Sequence, residues 1–134
     1  MYKILAFMLM IISSAVLAQV RPSDPWMPLT GGSGYIAYGN TESMSVRNNK
    51  VTMLVQYFPM SDNPNKEVYF SKLSIPVKTC TDKQGTGEMY TLSGKFVRDI
   101  DYVVNGISAG DGTITNACFY YEQSIELENL LKNK

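Results

Sequence analysis

Histidine is missing from this 134-residue chain, and that absence removes more chemistry than any other feature of its composition. Without it there is no Ser-His-Asp triad, no Cys-His nucleophile pair and no His-containing zinc site. Cysteine is scarce, with Cys80 and Cys118 as the whole supply. Their spacing rules out a C-x-x-C redox motif, and two thiolates without histidine make a poor zinc cage. An excess of charge of either sign is also lacking, since 12 basic side chains balance 12 acidic ones. The basic residues are scattered, whereas nucleic-acid affinity needs clustered Lys and Arg, so no nucleic-acid partner is expected. At this length the chain holds one domain and not two full cores.

The apolar run at the N-terminus is short. Lys3 is followed by an unbroken apolar stretch from Ile4 to Ile12, then by Ser13-Ser14 and Ala15-Val16-Leu17-Ala18. Val16 and Ala18 supply the compact residues of an A-x-A-like cleavage site. The stretch from Ile4 to Leu17 has 14 residues, against the roughly 20 that span a bilayer. Residues 1–18 are therefore read as a secretory signal, cut between Ala18 and Gln19, with no stable membrane span after cleavage. Removing 18 residues from 134 leaves a mature chain of 116, residues 19–134, and loss of Lys3 leaves 11 basic against 12 acidic groups. No cysteine stands at the cleavage site to accept the lipid of a bacterial lipoprotein.

Export gives the two cysteines a meaning. In an oxidising compartment an even pair forms a structural disulfide, and Cys80 with Cys118 allows a single intramolecular connectivity. The closed loop runs from residue 80 to residue 118, and its chain entropy is worth about 4 kcal/mol.

The mature chain alternates strand signals with breakers. Residues 19–28 form a proline-rich lead-in that becomes a strand at Trp26, and residues 30–34 (Thr-Gly-Gly-Ser-Gly) are expected to be a loop. Tyr35–Tyr38 and Ser43–Arg47 are short strand candidates separated by a turn at Gly39-Asn40. Asn48-Asn49-Lys50 is a hairpin signal. Val51–Phe58 is the clearest strand, apolar on both faces and hence central. The loop from Pro59 to Lys66 is rich in breakers. Glu67–Thr79 is read as one extended run, with a bulge or bend at Pro76 and closed by Cys80. Glu88–Ser93 and Phe96–Val104 are further strands. Ile114, Ala117, Cys118, Tyr121 and Ile125 then recur at helical spacing, which predicts a C-terminal helix over about 114–131 with Thr113 as its N-cap. The expected fold is α+β, predominantly an antiparallel β-sheet with one C-terminal helix packed on it and tethered by the disulfide.

The sequence contains no catalytic constellation with a recognisable spacing. Gly31-Gly-Ser-Gly34 fails as a nucleophile elbow, because Tyr35 stands two residues after Ser33, and fails as a phosphate loop for want of a following G-K-[ST]. Asp99 and Asp101 share a strand face at about 7 Å. That spacing could suit a glycosidase pair, but two solvated carboxylates are the simpler reading. No metal, cofactor or catalytic residue is assigned, and the protein is read as a non-enzyme. The aromatic excess points to binding. Most of the tyrosines and phenylalanines suit a β core, whereas Phe119-Tyr120-Tyr121 cannot all face inward on a helix, and exposed aromatics mark protein-recognition surfaces.

Four segments carry a resemblance: Trp26-Met-Pro-Leu29, Gly34-Tyr-Ile-Ala-Tyr38, Ser71-Lys-Leu-Ser-Ile-Pro-Val-Lys-Thr-Cys80 and Gly112-Thr-Ile-Thr-Asn-Ala-Cys118. Together they resemble the surface-adhesin protein E family, small exported proteins of Gram-negative bacteria. Ala37 stands where the family's strand usually continues with Asp. The resemblance implies a curved antiparallel sheet with a helix tethered by the cysteine pair. It also implies recognition of host matrix or plasma proteins, with a possible homodimer. The expected function is a non-enzymatic exported binding module, periplasmic or at the cell surface. The competing expectation is a periplasmic inhibitor or immunity protein that blocks a lytic enzyme or toxin.

Overall fold

The computed structural model describes residues 24–133, so the signal segment and the Ala18–Gln19 cleavage site lie outside the described residues. Six strands form one antiparallel sheet in sequence order: β1 (Trp26–Gly32), β2 (Tyr35–Arg47), β3 (Lys50–Pro59), β4 (Tyr69–Pro76), β5 (Gln84–Tyr90) and β6 (Phe96–Val103). A short helix α1 (Val77–Asp82) follows β4, and a long helix α2 (Ala109–Lys132) ends the described chain. The architecture is α+β, with the antiparallel sheet dominant and the C-terminal helix held by a Cys80–Cys118 disulfide across a Cα separation of 5.4 Å. Helix α2 packs on both edge strands, β1 and β6. A meander whose two edges share one helix must curl, and the concave side of the curl holds the core.

Turn chemistry sets the register. Asn48 and Asn49 both take left-handed conformations (φ 51° and 61°) between β2 and β3. Asparagine tolerates that region better than other non-glycine residues, and two such residues in succession give the twist a two-residue hairpin needs. Ser33 and Gly34 (φ 55° and 84°) do the same between β1 and β2. The expected loop over residues 30–34 is therefore only these two residues, with Gly31 and Gly32 paired to Ile36 and Tyr35 in the ladder. The turn expected at Gly39-Asn40 is instead an irregularity within one long strand. β2 breaks register between Asn40 and Ser45, and the Asn40 side-chain oxygen accepts the Glu42 and Ser43 N–H groups at 3.0 and 3.1 Å. This side-chain turn satisfies the donors that the ladder drops.

Two further expectations are corrected. The run from Glu67 to Cys80 is not one extended segment: it bends at Pro76, and Val77–Asp82 is helical, so Cys80 sits on α1 and not at a strand end. Proline supplies a fixed φ and lacks the N–H that the ladder would need, so it suits the switch from strand to helix. The long helix also starts earlier than the apolar stripe indicates. Its N-cap is Ser108, not Thr113, and the Thr113 hydroxyl donates to the Ala109 carbonyl inside the first turns. Gly110 and Gly112, which precede the expected start at Thr113, lie within the helix, which passes very close to the sheet there. A Cβ on Gly110 would sit 2.7 Å from Ile100 Cγ2, and one on Gly112 would sit 2.7 Å from Thr30 Oγ1.

The core follows the strand period. Val51, Met53 and Val55 of β3, Leu73 and Ile75 of β4, Met89 of β5, and Ile100 and Tyr102 of β6 are buried on one face. All of these except Val51 form one cluster with Ile114, Ala117 and Cys118 from α2 and Cys80 from α1. The helical stripe leaves this core after Tyr121, and Glu122–Asn133 is exposed throughout. At 1.5 Å per residue this exposed end of α2 is about 16 Å long.

Candidate binding site

Strand registers divide the side chains between two surfaces. On the concave side, cross-strand rows place Ala37 beside Tyr57 and Tyr69, Val55 beside Ser71, and Met89 beside Arg98. Helix α2 covers only part of this side, because it lies over β1, β6 and Gly87 of β5. Gly87 gives it room, with Ile114 Cδ1 3.2 Å from where a Cβ would lie. The uncovered part is a cup of about 720 Å³. Its floor and walls are Ala37, Tyr57, Ser71, Met89 and Ile100, with Tyr35 and Tyr69 on one side and Arg98 on the other.

The polar groups of the cup are specific. Ser71 is 6% exposed, and its Oγ has no hydrogen-bond partner among the described residues. The neighbouring Tyr57 hydroxyl donates to the Met89 sulfur at 3.4 Å, a weak partner. Burial pushes the Tyr57 phenol above its ordinary range, opposed by the nearby Ser71 hydroxyl and by the Arg98 guanidinium. The Ser71 hydroxyl therefore lies beside the Tyr57 phenol. Arg98 has no carboxylate within salt-bridge distance among the described residues. The ion pairs there join Lys50 to Glu88, Lys78 to Asp82 and Lys132 to Glu128. At the other wall the Tyr35 and Tyr69 rings tilt against each other with centroids 5.4 Å apart, and Asn65 donates to the Tyr69 hydroxyl. Burial, then the Tyr69 hydroxyl, raise the Tyr35 phenol above its usual range.

The convex side is different in kind. Tyr38, Phe58 and Phe70 belong to the rows opposite the core, and two edge-to-face pairs lie there. Trp26 meets Phe70 at 6.3 Å, and Tyr38 meets Phe58 at 5.7 Å. Ile36, Tyr38, Phe58 and Val68 line a shallow groove walled by the loop after β3 through Met60 and Lys66. Toward β5 and β6 the convex face turns charged. Glu88 accepts from the Tyr90 hydroxyl and pairs with Lys50 at 3.7 Å, and the Tyr90 contact comes first in holding its carboxyl below the usual range.

The residues singled out from the sequence fall as follows. Cys80 and Cys118 are joined. Asp99 and Asp101 share a face as expected, but it is the convex one, in the rows of Glu88 and Thr86, and only the Asp101 carbonyl approaches α2 at Gly110. Gly31–Gly34 is the end of β1 and its turn. Phe119 is half exposed, while the Tyr120 hydroxyl donates to the Pro28 carbonyl at 2.8 Å and docks α2 on β1. Sequence reasoning missed Ser71, Tyr57 and Arg98. The only available signal was a serine on the apolar face of a strand, and it gains meaning only when β3 and β6 bring their partners.

Fold and site together define a disulfide-stapled antiparallel sheet with one helix across its concave side, a largely apolar and aromatic cup with polar groups at one wall, and an aromatic convex face. Compared with protein-family models, curated proteins and solved structures, the chain matches none. No described helix is long and apolar enough to cross a membrane, and the disulfide suits an oxidising, exported compartment.

Proposed function

We propose that this chain is an exported, non-catalytic binding protein that recognises other proteins, in the manner of a surface adhesin, through the convex face of its sheet. One observation carries the reading: the rings of Trp26, Tyr38, Phe58 and Phe70 gather on a solvent-facing sheet surface. Phe70 is 42% exposed although the concave side offers the core. Aromatic rings on an open β face supply large contact area at low conformational cost, and interface hot spots are enriched in such residues. The neighbouring groove would receive an apolar side chain of the partner. The short segments that resemble the surface-adhesin protein E family support the same reading, and with it an expected location in the envelope of a Gram-negative cell.

A photo-crosslinker installed at Phe70 in the native envelope captures the partner for identification. The purified partner is then titrated against the parent chain and against Phe58→Ser and Phe70→Ser variants. The reading expects saturable binding that weakens about tenfold or more in each variant, the loss of one buried aromatic contact. Binding indifferent to both substitutions would defeat it. Protease shaving of intact cells separates a surface adhesin, which is removed, from a periplasmic binder, which is not.

A second reading, an inhibitor or immunity protein, is favoured by the free end of α2. Glu122, Glu126 and Glu128 stand exposed there beside Leu127, Leu130 and Leu131. Such an end could plug a cationic cleft in a lytic enzyme. Loss of binding on truncation after Tyr121, with Phe70→Ser harmless, would decide for it.

A further inference from the structure

We propose that the concave cup is a binding site for a small aromatic carboxylate, its carboxylate held by Arg98, Ser71 and Tyr57 and its ring set against Tyr35, Tyr69 and Met89. The cup opens on the concave side of the sheet, and although Phe70 of the convex face also borders it, the substitutions that test it leave Phe70 in place, so its failure and that of protein recognition are distinguishable.

The first argument is the buried hydroxyl. A hydroxyl desolvated without a partner costs stability, and a strand position on the core face would normally carry an apolar residue instead. Ser71 is such a group: it is 6% exposed, faces the cup from the middle of β4, and its Oγ is bonded by no described residue. Leu73 and Ile75 on the same face of the same strand are buried and apolar, so the serine departs from the local pattern only at the cup. A ligand oxygen would satisfy it.

The second argument is convergence. Tyr57 spends its hydroxyl on a thioether, the weakest acceptor in the neighbourhood. Arg98 is the cross-strand neighbour of that methionine and shares its concave orientation. Three groups able to donate therefore meet at one wall of an otherwise apolar and aromatic cup, the arrangement expected of a small-molecule site. All three suit an acceptor, and the planar guanidinium fork suits a carboxylate. No acidic side chain among the lining residues turns inward to compete. Asp99 and Asp101 lie in convex rows, and Asp111 at the start of α2 is consumed by its own helix cap.

The third argument concerns the body of the ligand. The remaining contacts are two tilted tyrosine rings and a methionine sulfur, which favour an aromatic ring over a flexible chain. A volume of about 720 Å³ lies within the roughly 300–1,000 Å³ of small-molecule sites.

The test uses the mature, disulfide-bonded protein, with naphthoate as probe and naphthylmethanol as its uncharged counterpart, followed by calorimetry and by thermal unfolding. Expected are saturable binding of naphthoate, a rise in Tm with probe concentration, and affinity for naphthylmethanol weaker by about tenfold. Arg98→Gln, at an exposed position where folding is not at stake, is expected to erase the preference for the carboxylate. Ser71→Ala gives a signature that a structural serine would not: Tm of the free protein rises, because a buried unpaired hydroxyl is removed, while naphthoate affinity falls. No saturable binding, equal affinity for the two probes, or binding unmoved by Arg98→Gln would overturn the proposal. So would a fall in the free-protein Tm of Ser71→Ala.

Discussion

Ser108 and Asp111 cap each other at the start of α2. The Asp111 N–H donates to Ser108 Oγ at 3.0 Å, and Asp111 Oδ2 accepts from the Ser108 N–H at 3.1 Å and from its hydroxyl at 2.7 Å. The second carboxylate oxygen accepts the Val103 N–H at 2.8 Å, so the cap also ties α2 to the end of β6. The reciprocal contact satisfies helix donors that have no partner within the helix.

The cap sets a pH dependence. Its hydrogen bonds, that from the Ser108 hydroxyl first, hold the Asp111 carboxyl below its ordinary value. A carboxyl depressed in the folded state binds a proton more readily when unfolded. Its contribution is therefore complete above the unfolded pKa, near 3.8, and is lost as pH falls through the lower folded value. Asp111→Asn is expected to lower Tm at neutral pH and to flatten the acid limb of Tm against pH below about 4. Ser108→Ala is expected to cost about 1 kcal/mol in urea unfolding. An acid limb unchanged in Asp111→Asn would refute this account.

The staple between α1 and α2 predicts a large effect from one atom. Without reductant, the intact mass of the mature chain should be two protons below that of the dithiol. Cys118→Ser should destabilise by about 2–5 kcal/mol, because the unfolded chain regains the freedom of the loop from 80 to 118. Amide exchange should accelerate first in α1 and in the middle of α2. An unchanged Tm would remove the staple from the stability argument.

Gly110 is expected to reject even a methyl group. Helix propensity alone would make Gly110→Ala favourable by up to about 1 kcal/mol. The new Cβ would meet Ile100 Cγ2 at 2.7 Å and the Asp101 carbonyl oxygen at 3.3 Å. The carbonyl belongs to a sheet strand and cannot yield cheaply, so overpacking of about 1–3 kcal/mol should win. Urea unfolding of Gly110→Ala would show a lower midpoint at unchanged slope. A gain in stability would mean the helix can lift off β6.

Truncation after Tyr121 should leave the fold intact. Every residue from Glu122 to Asn133 is exposed, and the i,i+4 pair of Glu128 with Lys132 at 3.8 Å is a surface pair of small value. Tm should move by no more than about 2 °C, the scale of an exposed substitution. A collapse of Tm would show that the apolar residues of this end are covered in solution.

Particular residues show which features could be read from the chain. Val51–Phe58 declared a central strand, since a period of two with apolar residues on both rows suits little else. The Asn48-Asn49 turn was legible because few sequences accept two successive left-handed residues. The α2 stripe was legible from Ile114 to Tyr121, where the helix packs. Its true start was hidden, because Gly110 and Gly112 carry the ordinary signal of a loop and are tolerated only for close approach to Ile100 and Thr30. Helix α1 was hidden too, because Val77 continues the alternation of Leu73 and Ile75 past the bend at Pro76.

By itself the sequence determined what chemistry is excluded, where the single covalent staple lies and which class of fold carries it. The absent histidines, the lone cysteine pair and the change of period from two to 3.6 are local properties, so they need no partner to be read. Tertiary structure alone decided the sites. Ser71, Tyr57 and Arg98 come from three strands, and the convex rings of Trp26, Tyr38, Phe58 and Phe70 come from four. Strand register, set by turns and bulges, decides which side each residue faces, and one residue of slip would exchange the two faces. The curl of the sheet under α2 then decides that one face holds a cup and the other meets solvent.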